Sequence, residues 1–229
     1  MTHAYRSKTL LSAEKRANIE VLHYWAGYIH ADGGIYERAR AEEHWKKHHF
    51  LMFAQVNPEP VVALHAFLEA KGVVSTRTRT SNFGEYTMHQ FSTSRNIDFF
   101  IENGVKHALS YELKCSWHFW RGMFDGDGTV SWVKNGGRMY PAIQLGGRLE
   151  DMEAFNAMAE PIVGMPMKIR PCRSIFTLGR NGTSAVRLVK KMWGENCEFY
   201  SSLPYKREAA KEIILWKTSH GNSKGKQNG

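Results

Sequence analysis

Cysteine is scarce in this 229-residue sequence, and the three that occur are Cys115, Cys172 and Cys197. Three scattered cysteines build neither a disulfide framework nor a Cys-x-x-Cys zinc site, which favours a reducing compartment. No apolar run reaches the roughly 18 to 20 residues that span a bilayer, and the N-terminus lacks the apolar segment of a signal peptide. We therefore expect a soluble intracellular protein of the cytoplasm or an organelle matrix, neither membrane-bound nor secreted.

Acidic residues are outnumbered by basic ones, with 22 Asp and Glu against 31 Lys and Arg, so the formal net charge is +9. This excess favours a polyanionic partner, and nucleic acid is the first candidate. Hydrophobic residues make up 42% of the chain and include seven tryptophans, which excludes a disordered linker and allows one core or two compact subdomains.

The order of predicted elements is helix, two strands, helix, two strands, helix, and this order occurs twice. We expect a flexible segment at 1–12, a first half at 13–110, a second half at 111–218 and a flexible basic tail at 219–229. The predicted helices cover 14–31, 58–71, 94–109, 112–126, 148–162, 183–193 and 204–218. The predicted strands lie within 34–56, 73–93, 129–134, 138–146 and 166–180.

One motif is repeated, because Trp25–Gly33 (WAGYIHADG) and Trp120–Gly128 (WRGMFDGDG) both end a predicted helix with Asp-Gly. Small residues stand at the third and seventh positions of each copy, which allows the two helix backbones to approach closely. These interface residues are Gly27, Ala31, Gly122 and Gly126. A side chain larger than methyl at Gly122 is expected to push the helices apart.

Asp32 and Asp127 close the two copies, at helix C-termini where the macrodipole disfavours an acid by about 0.3–1 kcal/mol. A divalent cation shared by the two carboxylates would compensate, since hard cations prefer carboxylate, carbonyl and water oxygens. A single Asp-Gly is more often a simple helix stop, but two matched copies favour a site.

The two copies resemble the LAGLIDADG motif of homing endonucleases in the single-chain form that carries two motifs, and the likeness covers roughly residues 14 to 218. The copies depart from that pattern at His30, at Trp25 and Trp120, and at Arg121, whose charge is expected to need an outlet to solvent or phosphate. The resemblance implies an α+β fold, a duplicated αββαββα unit whose two antiparallel sheets form a DNA-binding saddle with the motif helices at the interface.

The resemblance also implies a catalytic site around the two acids. Asp32, Asp127 and the backbone carbonyls of Ala31 and Gly126 are expected to bind Mg²⁺, with Mn²⁺ able to replace it. Lys206 matches the family's terminal segment and could stabilise charge that develops on the phosphate. Gln55 and Gln144 precede the next helix in similar ways and are predicted to contact DNA or position water.

Strand alternation predicts the DNA-contacting side chains, because Arg, Lys and Gln are the residues that read base edges and bind phosphates. An ordinary solvated strand face is the alternative for any one pair, but four basic pairs or near-pairs favour a DNA face. The predicted contacts are Tyr36, Arg38, Arg40, Arg77, Arg79, Ser131, Arg138, Tyr140, Lys168 and Arg170. The histidines of 42–49 are expected to belong to a solvated loop or a phosphate contact and not to a zinc site.

These observations predict a monomeric endonuclease that hydrolyses one phosphodiester in each strand of a long, asymmetric double-stranded DNA site and supports intron mobility. One alternative is an RNA maturase that helps its intron to splice. Another is a non-catalytic DNA-binding protein of the same fold. Retention of both Asp32 and Asp127 favours the nuclease.

Overall fold

The computed structural model describes residues 18–39, 47–194 and 203–216. The helices of this part of the chain are α1 (Ile19–Asp32), α2 (Pro58–Phe67), α3 (Asp98–Glu102), α4 (Tyr111–Lys114), α5 (Trp117–Asp127), α6 (Leu149–Val163), α7 (Thr183–Trp193) and α8 (Pro204–Leu215). The strands are β1 (Gly34–Ala39), β2 (Lys47–Gln55), β3 (Ser75–Ser81), β4 (Gly84–Thr93), β5 (Gly128–Asn135), β6 (Arg138–Gly147), β7 (Arg170–Cys172) and β8 (Ile175–Asn181).

The strands form two four-stranded antiparallel sheets with the same connectivity. The first sheet has the order β1-β2-β4-β3 and the second has the order β5-β6-β8-β7. Each sheet follows directly from a motif helix, α1 or α5, across a single Asp-Gly junction. The predicted fold class, a duplicated α+β unit with the motif helices between two antiparallel sheets, is confirmed.

The motif helices are buried because each one packs against its own sheet and against the other helix. In α1 every residue from Leu22 to His30 is buried, and in α5 every residue from Phe119 to Asp125 is buried. A helix that is buried on all sides must satisfy its polar side chains internally. This requirement shapes the networks around Arg121 and His30 described below.

Two predicted helices differ most from the expectation. The helix predicted at 94–109 is only α3, because Gly104 (φ +68°) and Lys106 (φ +71°) both have left-handed backbone conformations that a helix cannot contain. The helix predicted at 112–126 is divided into α4 and α5, because Ser116 caps α5 by accepting a hydrogen bond from the Phe119 N–H at 3.3 Å.

A continuous core joins the two halves, and its largest fully buried side chains include Tyr28, Phe53, Trp120 and Phe155.

Cys115 and Cys172 are free, exposed thiols. Among the described residues, no helix combines the length and apolar character needed to cross a membrane.

Candidate active site

The motif helices cross where Gly27 and Gly122 face each other. A Cβ atom added to Gly122 would lie 2.0 Å from the Tyr24 carbonyl oxygen, and one added to Gly27 would lie 1.9 Å from the Phe119 carbonyl oxygen. Real Cβ atoms stay beyond 3.0 Å from such neighbours. Even a methyl group at Gly122 would therefore overlap the other helix, a smaller side chain than the limit predicted from the sequence, since the two backbones are in direct contact.

The same crossing brings Asp32 and Asp127 together at the C-terminal ends of α1 and α5. A Cβ atom added to Gly126 would lie 2.3 Å from the Ala31 Cβ and 3.0 Å from Asp32 Oδ2, so Asp32 stands beside the last turn of α5. Burial, followed by the negative charge of Asp127, raises the pKa of Asp32 above its ordinary value. Burial also raises the pKa of Asp127, against the opposing effect of nearby positive side chains. The fold thus disfavours the ionised form of both carboxylates.

The glutamines predicted as a matched pair occupy different positions. Gln55, at the end of β2, donates a hydrogen bond from Nε2 to Asp32 Oδ2 at 2.7 Å. Gln144 lies opposite Thr129 and Gly179 in the second sheet, whereas the residue that matches Gln55 in strand register is Gly147. The predicted equivalence of Gln55 and Gln144 is wrong, and among the described residues no side chain makes the Gln55 contact to the second acid.

Two lysine ammonium groups, from the half-buried Lys106 and the buried Lys206, lie against the C-terminal carbonyls of the motif helices. Lys206 Nζ donates to the carbonyl oxygens of Phe124 at 2.6 Å and Asp125 at 2.7 Å. Lys106 Nζ donates to the carbonyl oxygens of His30 at 2.7 Å and Ala31 at 3.0 Å. Burial lowers the pKa of both lysines, while the negative charges of the two motif acids act in the opposite direction.

Lys106 is a candidate site residue that the sequence did not predict. It precedes α4 in a loop without periodic pattern, where no local signal separates it from other lysines. The duplication of the chain could have predicted Lys106. Because Lys206 follows the fourth strand of the second half, a matching lysine is expected after the fourth strand of the first half. The structure places these two lysines as near counterparts, one on each motif helix.

The donor groups at this position suit a hard divalent cation. Two carboxylates whose ionised forms are disfavoured meet helix C-termini rich in carbonyl oxygens, and a cation would relieve both sets of partial negative charge. The Ala31 carbonyl, predicted as a metal ligand, accepts the Lys106 ammonium instead. Within the described residues no group of three or more His, Cys, Asp or Glu side chains could hold a metal. A bound cation would therefore depend on the two acids together with oxygens from elsewhere.

The charge of Arg121 is satisfied inside the protein, so the expected outlet to solvent or phosphate is wrong. Arg121 is 2% exposed, and its Nη1 donates to the Met192 carbonyl at 3.2 Å. Its Nη2 lies 3.2 Å from His118 Nδ1, and its guanidinium lies 5.5 Å from the centre of the Tyr24 ring. The Tyr24 hydroxyl in turn donates to Asp125 Oδ2 at 2.8 Å. Arg121 thus belongs to the interface between the motif helices.

One face of the first sheet is packed on the core and the other face is open. Leu51 and Phe53 are buried on the core face, while Met52, between them, is 38% exposed. Because directly opposed residues of antiparallel strands share a face, the register places these predicted contacts on the open face with Met52: Tyr36, Arg77 and Arg79. The side chain of Arg38, at the end of β1, is not among those that the structure describes. All residues of β3 are exposed. Arg40 lies outside the described residues.

The open face of the second sheet carries a different set of side chains. Strand register places on it Ser131, Arg138, Tyr140, Gln144 and Arg170. The Tyr140 ring lies 6.4 Å from the Trp216 ring, so this side chain also contacts the residue that follows α8. Lys168 is exposed but precedes β7, so it stands on the connection after α6 and not on a strand. The two open faces therefore present unlike surfaces.

This arrangement is the fold of the LAGLIDADG homing endonucleases. It consists of two crossing motif helices that each end in an acid, and of two four-stranded sheets with the same strand order. The homing endonuclease I-WcaI bound to its DNA recognition sequence superposes with a TM-score of 0.61 at 15% identity, over 88% of this chain and 88% of that chain. The I-SmaMI LAGLIDADG homing endonuclease bound to cleaved DNA gives a TM-score of 0.53 at 11% identity, over 84% and 87%. A lysine-to-alanine variant of I-SmaMI gives 0.56 at 11% identity, over 84% and 90%. No family model and no curated protein matches the sequence.

Proposed function

We propose that this chain is a site-specific double-stranded DNA endonuclease that hydrolyses one phosphodiester in each strand and acts as a monomer. It uses a divalent cation, Mg²⁺ or in its place Mn²⁺, and its cleavage supports intron mobility. The observation that carries the proposal is the meeting of Asp32 and Asp127 beside the ammonium groups of Lys106 and Lys206, at the junction of two sheets with open polar faces. The solved homing endonucleases of the same fold support it, since their structures hold DNA.

The acids and the lysines perform complementary tasks in this proposal. When a divalent cation is bound, it supplies a Lewis acid for phosphate oxygens and offsets the repulsion between the carboxylates. Gln55 donates a hydrogen bond to Asp32 Oδ2 and so fixes the orientation of that carboxylate. Lys106 and Lys206 place positive charge beside the site, where the attack of water on phosphorus would build negative charge on the phosphate oxygens.

The open faces of the two sheets account for recognition. A two-stranded ribbon fits the DNA major groove, and the β3–β4 pair presents Arg77 and Arg79 on one face. The second sheet presents Arg138, Gln144 and Arg170 in their place. Because the two faces differ, the two halves of the DNA site are expected to differ. A site on the order of 20 base pairs follows if each sheet covers one helical turn.

The test is a cleavage selection from a library of random DNA duplexes in Mg²⁺, with the cut ends sequenced. The wild-type chain should enrich one long asymmetric site cut in both strands, and the chain carrying both Asp32→Asn and Asp127→Asn should enrich none. Absence of any cut site, or equal cutting by the double variant, would contradict the proposal. Specific DNA binding without cleavage would instead indicate a non-catalytic DNA-binding protein, and specific binding of intron RNA alone would indicate a maturase.

A further inference from the structure

The His30 side chain forms hydrogen bonds that the proposed cleavage reaction does not use directly. The ring is 6% exposed, and its Nδ1 accepts a hydrogen bond from the Lys106 backbone N–H at 2.9 Å. A backbone N–H can only donate, so the ring proton belongs on Nε2. Nε2 lies 3.1 Å from Asp151 Oδ2, on a helix of the second half. The His30 ring thus connects the Lys106 backbone to Asp151.

Asp151 reaches the same loop by a second route. Its carboxylate accepts from Arg148 Nε at 2.9 Å and from Arg148 Nη2 at 3.1 Å, and Nη2 also donates to the His107 carbonyl at 2.7 Å. Burial alone would raise the pKa of Asp151, but hydrogen bonds from His30 and Arg148 hold it below its ordinary value. One buried carboxylate therefore controls contacts to two consecutive residues, Lys106 and His107.

Lys106 needs such support. Its backbone is left-handed, with φ +71°, a conformation that costs a non-glycine residue free energy and persists only where surrounding contacts impose it. The backbone N–H is held by His30, and the side-chain ammonium lies on the His30 and Ala31 carbonyls. The loop conformation and the position of the ammonium beside the motif acids are thus fixed through the same histidine.

We propose that Asp151 and His30 are positioning residues that hold the loop 103–110, and with it the Lys106 ammonium, against the paired acids. The inference rests on the proposed nuclease function for its effect on cleavage. It further implies that the second half of the chain, through Asp151 and Arg148, positions the first-half lysine whose charge acts on both Asp127 and Asp32. Cleavage then depends on how the two halves dock at Asp151.

Two substitutions of His30 separate the contact to the Lys106 backbone from the contacts that Nε2 makes with Asp151 and, at 3.2 Å, with Arg148 Nη2. In His30→Asn the amide oxygen takes the place of Nδ1 and can still accept from the Lys106 N–H, while the contact to Asp151 is lost. In His30→Gln the amide nitrogen takes the place of Nε2 and can still donate to Asp151, while the acceptor for Lys106 is lost. If His30 only bridged the two halves structurally, the Gln variant would be the better substitute. The positioning role predicts that the Asn variant is better.

The first measurement uses DNA-free protein and does not depend on nuclease activity. Hydrogen exchange of the peptide 103–110 should be about tenfold faster in His30→Gln than in wild type, and closer to wild type in His30→Asn, because a single hydrogen bond typically corresponds to about a tenfold effect. Asp151→Asn should also speed exchange. The amide at position 151 would donate to His30 Nε2, so the ring proton would move to Nδ1, and Nδ1 could then no longer accept from the Lys106 N–H. Glu153→Gln, an exposed change on the same helix as Asp151, is the matched control and should exchange like wild type. Equal exchange in all variants would overturn the inference.

The second measurement is the single-turnover cleavage rate on the selected duplex, with affinity measured separately in Ca²⁺. His30→Gln should cut at least about tenfold more slowly than His30→Asn, while the two variants bind DNA with similar affinity. A Gln variant that cuts as well as the Asn variant would refute the positioning role. If wild-type protein cuts no DNA, the proposed function fails, and the hydrogen-exchange result still decides whether His30 and Asp151 hold the Lys106 loop.

Discussion

Replacing Gly122 by alanine adds one methyl group at the point where the two motif helices touch. The added Cβ would lie 2.0 Å from the Tyr24 carbonyl oxygen and 2.7 Å from the Tyr28 nitrogen. Comfortable contact requires about 3.5 Å or more, so α1 would have to move by about 1.5 Å. Both obstructing atoms belong to the backbone, so no side-chain rotation can relieve the overlap.

The expected loss of stability combines two opposing effects. Overpacking in a well-packed core costs about 1–3 kcal/mol, and rigid backbone atoms place this site toward the upper end. Alanine gains about 0.8–1 kcal/mol over glycine in a helix interior. The net loss is therefore about 2 kcal/mol, which corresponds to a fall in Tm of about 4–8 °C for a chain of this size.

Cleavage should fall by a larger factor than this loss of stability explains, because the helix crossing sets the separation of Asp32 and Asp127. The assay is thermal unfolding by circular dichroism together with cleavage measured well below Tm. The control exchanges a methyl group across the interface: Gly126→Ala should lower Tm because its Cβ would meet the Ala31 Cβ at 2.3 Å, and adding Ala31→Gly should restore most of the loss. A Gly122→Ala protein with wild-type Tm and cutting rate would refute the reasoning.

Three further predictions concern the charged and polar groups of the site. Asp32→Asn and Asp127→Asn should each abolish double-strand cleavage, yet raise Tm by roughly 1–4 °C at neutral pH. The raised pKa of each acid means that its ionised form destabilises the fold at a pH above that pKa. For a partly solvated acid at a helix C-terminus this effect is about 0.3–1 kcal/mol. A drop in Tm would show that the acids stabilise the fold instead. Gln55→Leu should slow the cutting of one DNA strand more than the other, because among the described residues only Asp32 accepts a hydrogen bond from a glutamine. End labelling of each strand in turn measures the two rates. Equal slowing of both strands would contradict the prediction. Arg77→Ala and Arg79→Ala should each weaken DNA binding. If the arginine contacts a guanine, the loss is about 1–3 kcal/mol at one base pair; if it binds a phosphate, the loss is the same for all sequences and the salt dependence of binding becomes flatter. Unchanged affinity and salt dependence would show that β3 does not contact DNA.

The duplicated motif made much of the fold predictable. Small residues at matched positions of both copies imply a close helix crossing, and Gly27 and Gly122 meet there. Strand alternation also placed Arg77 and Arg79 on one face, because the two-residue period of a strand is a local property. These features could be read because each depends only on residues that are near in sequence or repeated.

Other features depend on contacts between distant residues and could not be read in this way. Counting back from the next helix matches Gln144 with Gln55, but strand pairing defines equivalence and makes Gly147 the counterpart of Gln55. The burial of Arg121 depends on the Met192 carbonyl, which is far away in sequence. Lys106 is placed by a left-handed backbone and by His30, and neither leaves a periodic pattern.

The central claim is that one carboxylate from each half acts in a single DNA-cutting site. The most direct measurement is single-turnover cleavage of both strands of the selected duplex, by wild-type protein and by the Asp32→Asn and Asp127→Asn variants, with DNA affinity determined in parallel. The account predicts that the wild-type protein cuts both strands and that each variant binds the duplex but makes no double-strand break. Full double-strand cleavage by either variant would contradict it.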